Sequence, residues 1–287
     1  MGCAVWAYKG WVGDFYPKSA KSGKYLELYS QRFQAVEGNT TFYLIPDRSM
    51  LLRWQQQTPS DFRFCLKLPR EFSHAGLLSP HLPGATNFLE LVKCLGDRLA
   101  NVFVQLPPTY SPRNLADLQN FLGELVKVGI PLGLEVRHPG WFSGPFDLEL
   151  ENLLRSLNVA RVILDSRPVY HPSFLEQNHN LNQNLACRKP DLPLSLSVIA
   201  DAILVRVVSH PDPSLNQYFW RFWASQIQAW LSLGKTIYFF VHCPQEERSP
   251  HNARHFYSFL QAEISTLPPL PWDNLSQDSS PEQLQLF

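Results

Sequence analysis

The chain has 287 residues, of which 45% are hydrophobic; that is enough for one large core of the size an α/β barrel builds. Lys+Arg and Asp+Glu both number 25 and the sequence pI is about 7.1, so the basic footprint of a nucleic-acid or anionic-membrane binder is missing. Five cysteines, an odd number with no C-x-x-C pair, argue against a disulfide framework or a zinc ribbon.

The opening MGCAVWAYKG carries no basic stretch followed by a long apolar run, so no secretory signal is expected and the reading is cytoplasmic. No segment approaches the roughly 18 apolar residues of a membrane span. The first short apolar run is CAVWA (3–7). FQAVE (33–37) follows and leads into Glu37 and Asn39. FRFCLK (62–67) ends on Lys67, with Arg70 and His74 just beyond, and VFVQ (102–105) ends on Gln105. Leu115, Leu118, Leu122 and Leu125 then recur at helical intervals. LGLEV (132–136) turns polar as it ends, at Glu135, Arg137 and His138, with Trp141 close behind. Phe146, Leu150, Leu153, Leu154 and Leu157 make a second helical stripe. RVILD (161–165) ends on Asp165 and enters a long polar connection, 167–197, that carries Asn178, Asn180, Asn182 and Asn184. ILVRVV (203–208) contains Arg206. Phe219, Phe222, Trp223, Ile227 and Trp230 form a third stripe, and IYFFV (237–241) leads to His242. Ser249-Pro250 reads as the N-cap and first-turn proline of a last helix. The stretch 268–287 is polar and reads as a disordered tail.

The eight runs start mostly about 30 residues apart, the length of a strand plus its crossover helix. Several are apolar throughout, as strands covered on both faces of a parallel sheet are. The expected fold is therefore α/β, a single (β/α)8 TIM-like barrel over 1–267. An open doubly wound sheet is the alternative, weakened because no G-x-G-x-x-G follows the first run.

Such a barrel builds its site at the carboxyl ends of the strands. Side-chain parity agrees: Glu135 and Arg137 point opposite to Leu132, Leu134 and Val136, and Lys67 shares a face with Cys65 and Arg63, opposite Phe62, Phe64 and Leu66. The candidate catalytic residues are Glu37, Lys67, Glu135 and Arg137. Asn39, His74, Gln105, His138, Trp141, Asp165, Arg206 and His242 are candidates for substrate binding. A plain structural ion pair between Glu135 and Arg137 is the competing reading.

The strings AVEGNTTFY (35–43), RWQQQTPSDFRFCLKLPREFSH (53–74), GDRLANVFVQLPPTY (96–110) and GLEVRHPGWF (133–142) resemble the DUF72 (YecE-like) family. The resemblance runs from about Cys3 to about Leu260. It implies a TIM-like barrel and names no reaction. Carried over residue by residue it matches Glu37, Thr41, Phe42, Lys67, His74, Gln105, Glu135, Arg137, Trp141, Asp165 and Arg206, and adds Tyr43 and Asn252 to the binding candidates. The chain departs from the family pattern after the seventh strand, where the family reads Arg-x-His-Gly and here Arg206 is followed by Val207-Val208-Ser209-His210, and after the eighth, where Val241-His242-Cys243-Pro244 stands in place of an Asn-rich stretch. Barrels commonly bind phosphate at those two loops.

The function expected is an enzyme acting on a small polar or anionic substrate. Lys67, Arg137 and Arg206 would neutralise it, Glu37 or Glu135 would act as general acid or base, and a depressed Lys67 pKa would allow an imine. No cofactor is expected, although Glu37, Glu135, Asp165 and His242 leave a divalent metal open as an alternative hydrolase or isomerase. A binding scaffold without turnover is a third reading, with nucleic acid disfavoured by the zero net charge. Loop 167–197 is expected to cover or border the mouth as a flap.

Overall fold

Every strand pairing among the described residues is parallel. The computed structural model describes residues 1–170 and 190–275. Among these the strands are β1 (Gly2–Cys3), β2 (Ala35–Gly38), β3 (Arg63–Lys67), β4 (Leu99–Gln105), β5 (Leu132–Glu135), β6 (Ala160–Arg161), β7 (Ile163–Asp165), β8 (Ala202–Val208) and β9 (Thr236–His242). The helices are α1 (Tyr25–Ser30), α2 (Thr40–Tyr43), α3 (Arg48–Gln57), α4 (Arg70–Ser73), α5 (Leu82–Val92), α6 (Leu115–Leu125), α7 (Gly144–Leu157), α8 (Arg167–Tyr170), α9 (Gln217–Ser232) and α10 (Ser249–Glu263).

The strands form two arcs, β2-β3-β4-β5-β6 and β1-β9-β8-β7. β6 and β7 belong to one apolar run broken only at Val162: its first half pairs with β5 and its second with β8, so the run joins the arcs. The other junction, between β1 and β2, has no backbone ladder. There the Tyr29 hydroxyl of α1 accepts from the Cys3 N–H at 2.6 Å and donates to the Ala35 carbonyl at 3.1 Å. Only glycine fits at position 2, because a Cβ there would lie 1.9 Å from the Ala35 oxygen. The order is that of the expected TIM-like barrel, with one seam bridged by a side chain instead of a closed ladder. Tyr29→Phe removes the bridge and strands two buried polar groups, so it should cost about 1–3 kcal/mol, read from the urea midpoint at unchanged m. A loss within error would mean that packing alone holds the seam.

Two cores divide by parity. Ala35, Cys65, Phe103, Val162, Leu204 and Phe240 cluster inside the arcs. The alternate residues, such as Val36, Phe64, Leu66, Val104, Leu134 and Val205, pack outward against the helices. Phe121 and Leu122 of α6 and Trp220, Trp223 and Trp230 of α9 are among their partners. One member of the second helical stripe departs from expectation: Phe146 is 40% exposed. The last helix starts one residue earlier than read. Arg248 is its cap residue, Ser249 lies inside with its hydroxyl unpartnered among the described residues, and Pro250 occupies the first turn.

The chain is also built beyond Pro268, contrary to the tail reading. Pro271–Asn274 is a 3-10 turn, Leu270 is buried, Trp272 packs edge-on to Phe15 and Asp273 pairs with Arg254 at 2.9 Å. The apolar residues in LPPLPW outweigh the polar composition of the segment as a whole. Residues 276–287, and 171–189 of the long connection, lie outside the described residues. Among the described residues no helix is long and apolar enough to cross a membrane.

Candidate functional site

Two residues along a strand bring a side chain back to the same face. Stepping two residues up from the apolar interior layer therefore reaches a second layer. Ala35 leads to Glu37, Cys65 to Lys67, Phe103 to Gln105, Gly133 to Glu135, Leu204 to Arg206 and Phe240 to His242. All six of these polar residues are buried. They sit at the carboxyl ends of the parallel strands, so the expected mouth is where the layer opens.

Arg206 is the centre of the layer. Its Nε and Nη2 donate to the two Glu37 oxygens at 2.7 and 2.8 Å, and its Nη1 donates to Glu135 Oε2. Arg137 Nε holds the other Glu135 oxygen at 2.7 Å, and His242 Nε2 lies 3.0 Å from Glu37 Oε2. Burial by itself would raise the Glu135 carboxyl, but Arg206, Arg137 and Lys67 outweigh it and hold it down at about 2. Glu37 is likewise pulled far below the carboxylate range, against burial, by Arg206 and His242. Burial disfavours the Arg206 charge, and the two carboxylates more than restore it. Each nitrogen of Arg206 thus already serves a carboxylate, so the fork expected to neutralise a ligand is largely committed, whereas Arg137 spends only Nε on Glu135 among the described residues and also lines the cavity.

Lys67 is different. It is 6% exposed, yet its Nζ has no carboxylate or carbonyl partner among the described residues. It rests 3.5 Å from the centroid of the Phe42 ring. Burial, then the fields of Arg206 and Arg137, outweigh the pull of Glu135 and Glu37 and bring its pKa from 10.5 to about 7. The string EGNTTFY explains how Phe42 arrives there. Gly38 lets the chain pass close to Leu66. Asn39 Nδ2 ties the turn to the Ala4 carbonyl at 3.1 Å, and the Thr41 hydroxyl shares its one proton between Lys67 O at 2.6 Å and Gly38 O at 2.9 Å. That pins α2 across the end of β3 and lays Phe42 over the amine. His74, edge-on to Phe42 at 5.0 Å, is drawn down from 6.5 to about 4 by burial and then by Lys67, Arg137 and Arg70.

Above this layer is an open cavity of about 470 Å³. It is lined by Asn39, Phe42, Tyr43, Lys67, Arg70, His74, Gln105, Arg137, Arg206 and His242, with Val5 and Pro190. Glu37 and Glu135 form the floor beneath Arg206. Pro190, from the described end of the long connection, is fastened by a 2.6 Å hydrogen bond from Ser166 Oγ, so that end borders the mouth. Sequence reasoning did not single out Phe42 as a site residue. The signal was an aromatic placed just past a polar strand end.

Four candidates lie elsewhere. Asp165 falls on the odd parity of β7 and faces the helices, where it accepts from Trp223 Nε1 at 2.9 Å and from both forks of Arg167. His138 lines a separate cavity between the β4 and β5 loops, its Nδ1 accepting from Gly140 N. Trp141 is buried with Nε1 donating to Tyr110 O at 2.9 Å, and anchors that loop. Asn252 of α10 holds the β8 loop through Ser209 Oγ and His210 O. A strand end alone does not reveal which face a residue takes, and for a loop or helix residue parity says nothing. The metal alternative loses Asp165 from the mouth, and Arg206 occupies both remaining carboxylates. Among the described residues no group of three or more His, Cys, Asp or Glu gathers to hold an ion.

The chain is 33% identical to the UPF0759 protein YecE of Escherichia coli K12 over 275 residues, 94% of this chain and 97% of that protein. It is 31% identical to the UPF0759 protein YunF of Bacillus subtilis 168 over 157 residues, about half of each. Two crystal structures of DUF72 family proteins share the fold. The one from Enterococcus faecalis V583 superposes with a TM-score of 0.67 at 15% identity, over 93% of this chain and 96% of that one. The one from Thermotoga maritima MSB8 superposes at 0.66 and 18%, over 91% and 99%. The family described as "Protein of unknown function DUF72" matches residues 1–275, and the chain belongs to it.

Proposed function

We propose that the mouth is the active site of an enzyme for a small anionic substrate, with Arg137 as the anion anchor and Lys67 as the group that enters the chemistry. The observation that carries this is the Lys67 amine: buried, over an aromatic face, without an oxygen acceptor among the described residues, and opening on the cavity. Retaining an unpaired amine there is costly, and a lysine poised near neutrality suits a base or nucleophile. Glu37 and Glu135 are reassigned. A carboxylate held at about 2 is too weak a base for proton transfer at neutral pH, so their work is to fix Arg206 and, through Glu135, to aim Arg137. With two carboxylates facing two guanidiniums and Lys67 in addition, the local balance favours an anion over a cation. Cys3, Cys65 and Cys94, which form no disulfide among the described residues, suit a reducing cytosol as its setting.

Calorimetric titration with phosphate, sulfate and small carboxylates tests the reading. Arg137→Met should weaken binding by about tenfold or more, the loss of one charge-assisted hydrogen bond or two. If every anion is inert, or Arg137→Met binds as tightly as the parent, the assignment of the anchor is wrong.

A further inference from the structure

Two buried polar groups at the mouth have no partner among the described residues. One is the Lys67 amine. The other is the Gln105 carboxamide: the residue is 3% exposed, its Oε1 is buried without a hydrogen bond, and it lines the same cavity. They stand on adjacent strands, β3 and β4, in one layer, Lys67 opposite Phe103 in the ladder and Gln105 two residues further on. Buried amides are normally satisfied, so an open one beside an open amine asks for a ligand group that answers both. A carbonyl does: its carbon takes a nucleophile and its oxygen takes an N–H.

We propose that Lys67 forms an imine with a small oxo-anion, a 2-oxo acid or a phosphorylated aldehyde or ketone, and that Gln105 binds the carbonyl oxygen as it becomes a carbinolamine hydroxyl. This rests on the anion reading above and names the substrate class of the same site. The Nζ lone pair bonds to the carbonyl carbon while the π pair moves to oxygen. The two hydrogens of the neutral amine then leave with that oxygen as water, and the C=N bond remains. No oxidant, reductant or metal is required.

The surroundings favour the step. Burial and the Arg206 and Arg137 charges keep a large fraction of Lys67 unprotonated near neutral pH. Glu37 and Glu135 would oppose this, but both are committed to guanidiniums. An imine that gains a proton gains the positive charge those carboxylates tolerate, and the free donors of Arg137 hold the anionic end. The Gln105 amide turns about its last torsion with little change of shape, so its nitrogen can face the cavity.

The test is reductive trapping on the full chain with sodium cyanoborohydride and pyruvate, glyoxylate or glyceraldehyde 3-phosphate, read by intact mass and peptide mapping. Phosphate and acetate binding is measured separately by calorimetry. The expected result is one adduct per chain, on Lys67, lost in Lys67→Arg and suppressed by phosphate. Gln105→Met should slow trapping by about a hundredfold, as removal of an oxyanion donor does, with phosphate affinity unchanged. Equal labelling of surface lysines, or no adduct while Arg137-dependent anion binding persists, overturns the imine and leaves the anion site. A Lys67 adduct without any phosphate or carboxylate binding supports the imine and overturns the anion site. If neither adduct nor binding appears, both fall.

Discussion

Arg206→Met will destabilise the fold by about 3–5 kcal/mol at pH 7, the cost of stranding buried charge, and it should be the most damaging single change at the mouth. The guanidinium is 5% exposed and holds Glu37 and Glu135, which are 0% and 1% exposed, from two sides. Without it two carboxylates face each other in a water-poor layer. Burial, which already pushes both carboxyls up, would then be unopposed on Glu37 except by His242, and on Glu135 except by Arg137 and Lys67. The loss should shrink on acidification, because the stranded groups take up protons. Urea unfolding at pH 7 and pH 5 measures this, and the triple variant Arg206→Met, Glu37→Gln, Glu135→Gln should recover a good part of it. A loss under about 1 kcal/mol would mean the cluster is wetter than its burial indicates.

The native cluster makes a matching statement about acid. Glu135 has its folded pKa depressed from 4.5 to about 2. Its contribution is therefore complete above pH 4.5 and lost as the pH falls toward 2. The shift is worth on the order of 3 kcal/mol, and Glu37 adds to it in the same direction.

Lys67→Met should do the opposite and stabilise the protein at pH 7 by about 2–4 kcal/mol. The sign follows from the depressed pKa. Between about 7 and 10.5 the unfolded chain binds a proton at Lys67 that the folded chain does not. Stability therefore rises with pH across that window, and the burial penalty is complete below about 7. Methionine has nearly the same length and removes the penalty. The lost contact over Phe42 returns about 0.5–2 kcal/mol of it, hence the modest net gain. Thermal unfolding at pH 7 and pH 10.5 should show a higher Tm for the variant at the first and no gain at the second, with all trapping at this position abolished. A Lys67→Met protein less stable than the parent at pH 7 would show that the amine is satisfied after all and would remove the main reason to place chemistry on it. A residue that lowers stability while facing a cavity is what a working group looks like, since activity is commonly bought with local stability.

How far the site was legible from the chain depends on which part of it one asks about. The alternation in FRFCLK and LGLEV sorted Lys67 and Glu135 onto the inner face, because a strand's period of two is a local property that survives any packing. The beat of apolar runs likewise indicated parallel strands with crossover helices, since strands covered on both faces must be apolar throughout. The strings around Glu37, Lys67, Gln105 and Glu135 carried the family resemblance. What the run RVILD could not reveal was its phase: it changes partner at Val162, and that decides that Asp165 turns to Trp223 on α9 and away from the mouth. The seam at β1 and β2 was equally hidden, because it rests on a Tyr29 hydroxyl brought across from α1. Above all, the sequence by itself determined which charges meet at the strand ends, and only the tertiary structure decided how they are shared. Arg206 reaches Glu37 across 169 positions and Glu135 across 71. Because a guanidinium presents its donors in a fixed fork, binding both carboxylates commits all three of its nitrogens and leaves Lys67 without a carboxylate partner among the described residues.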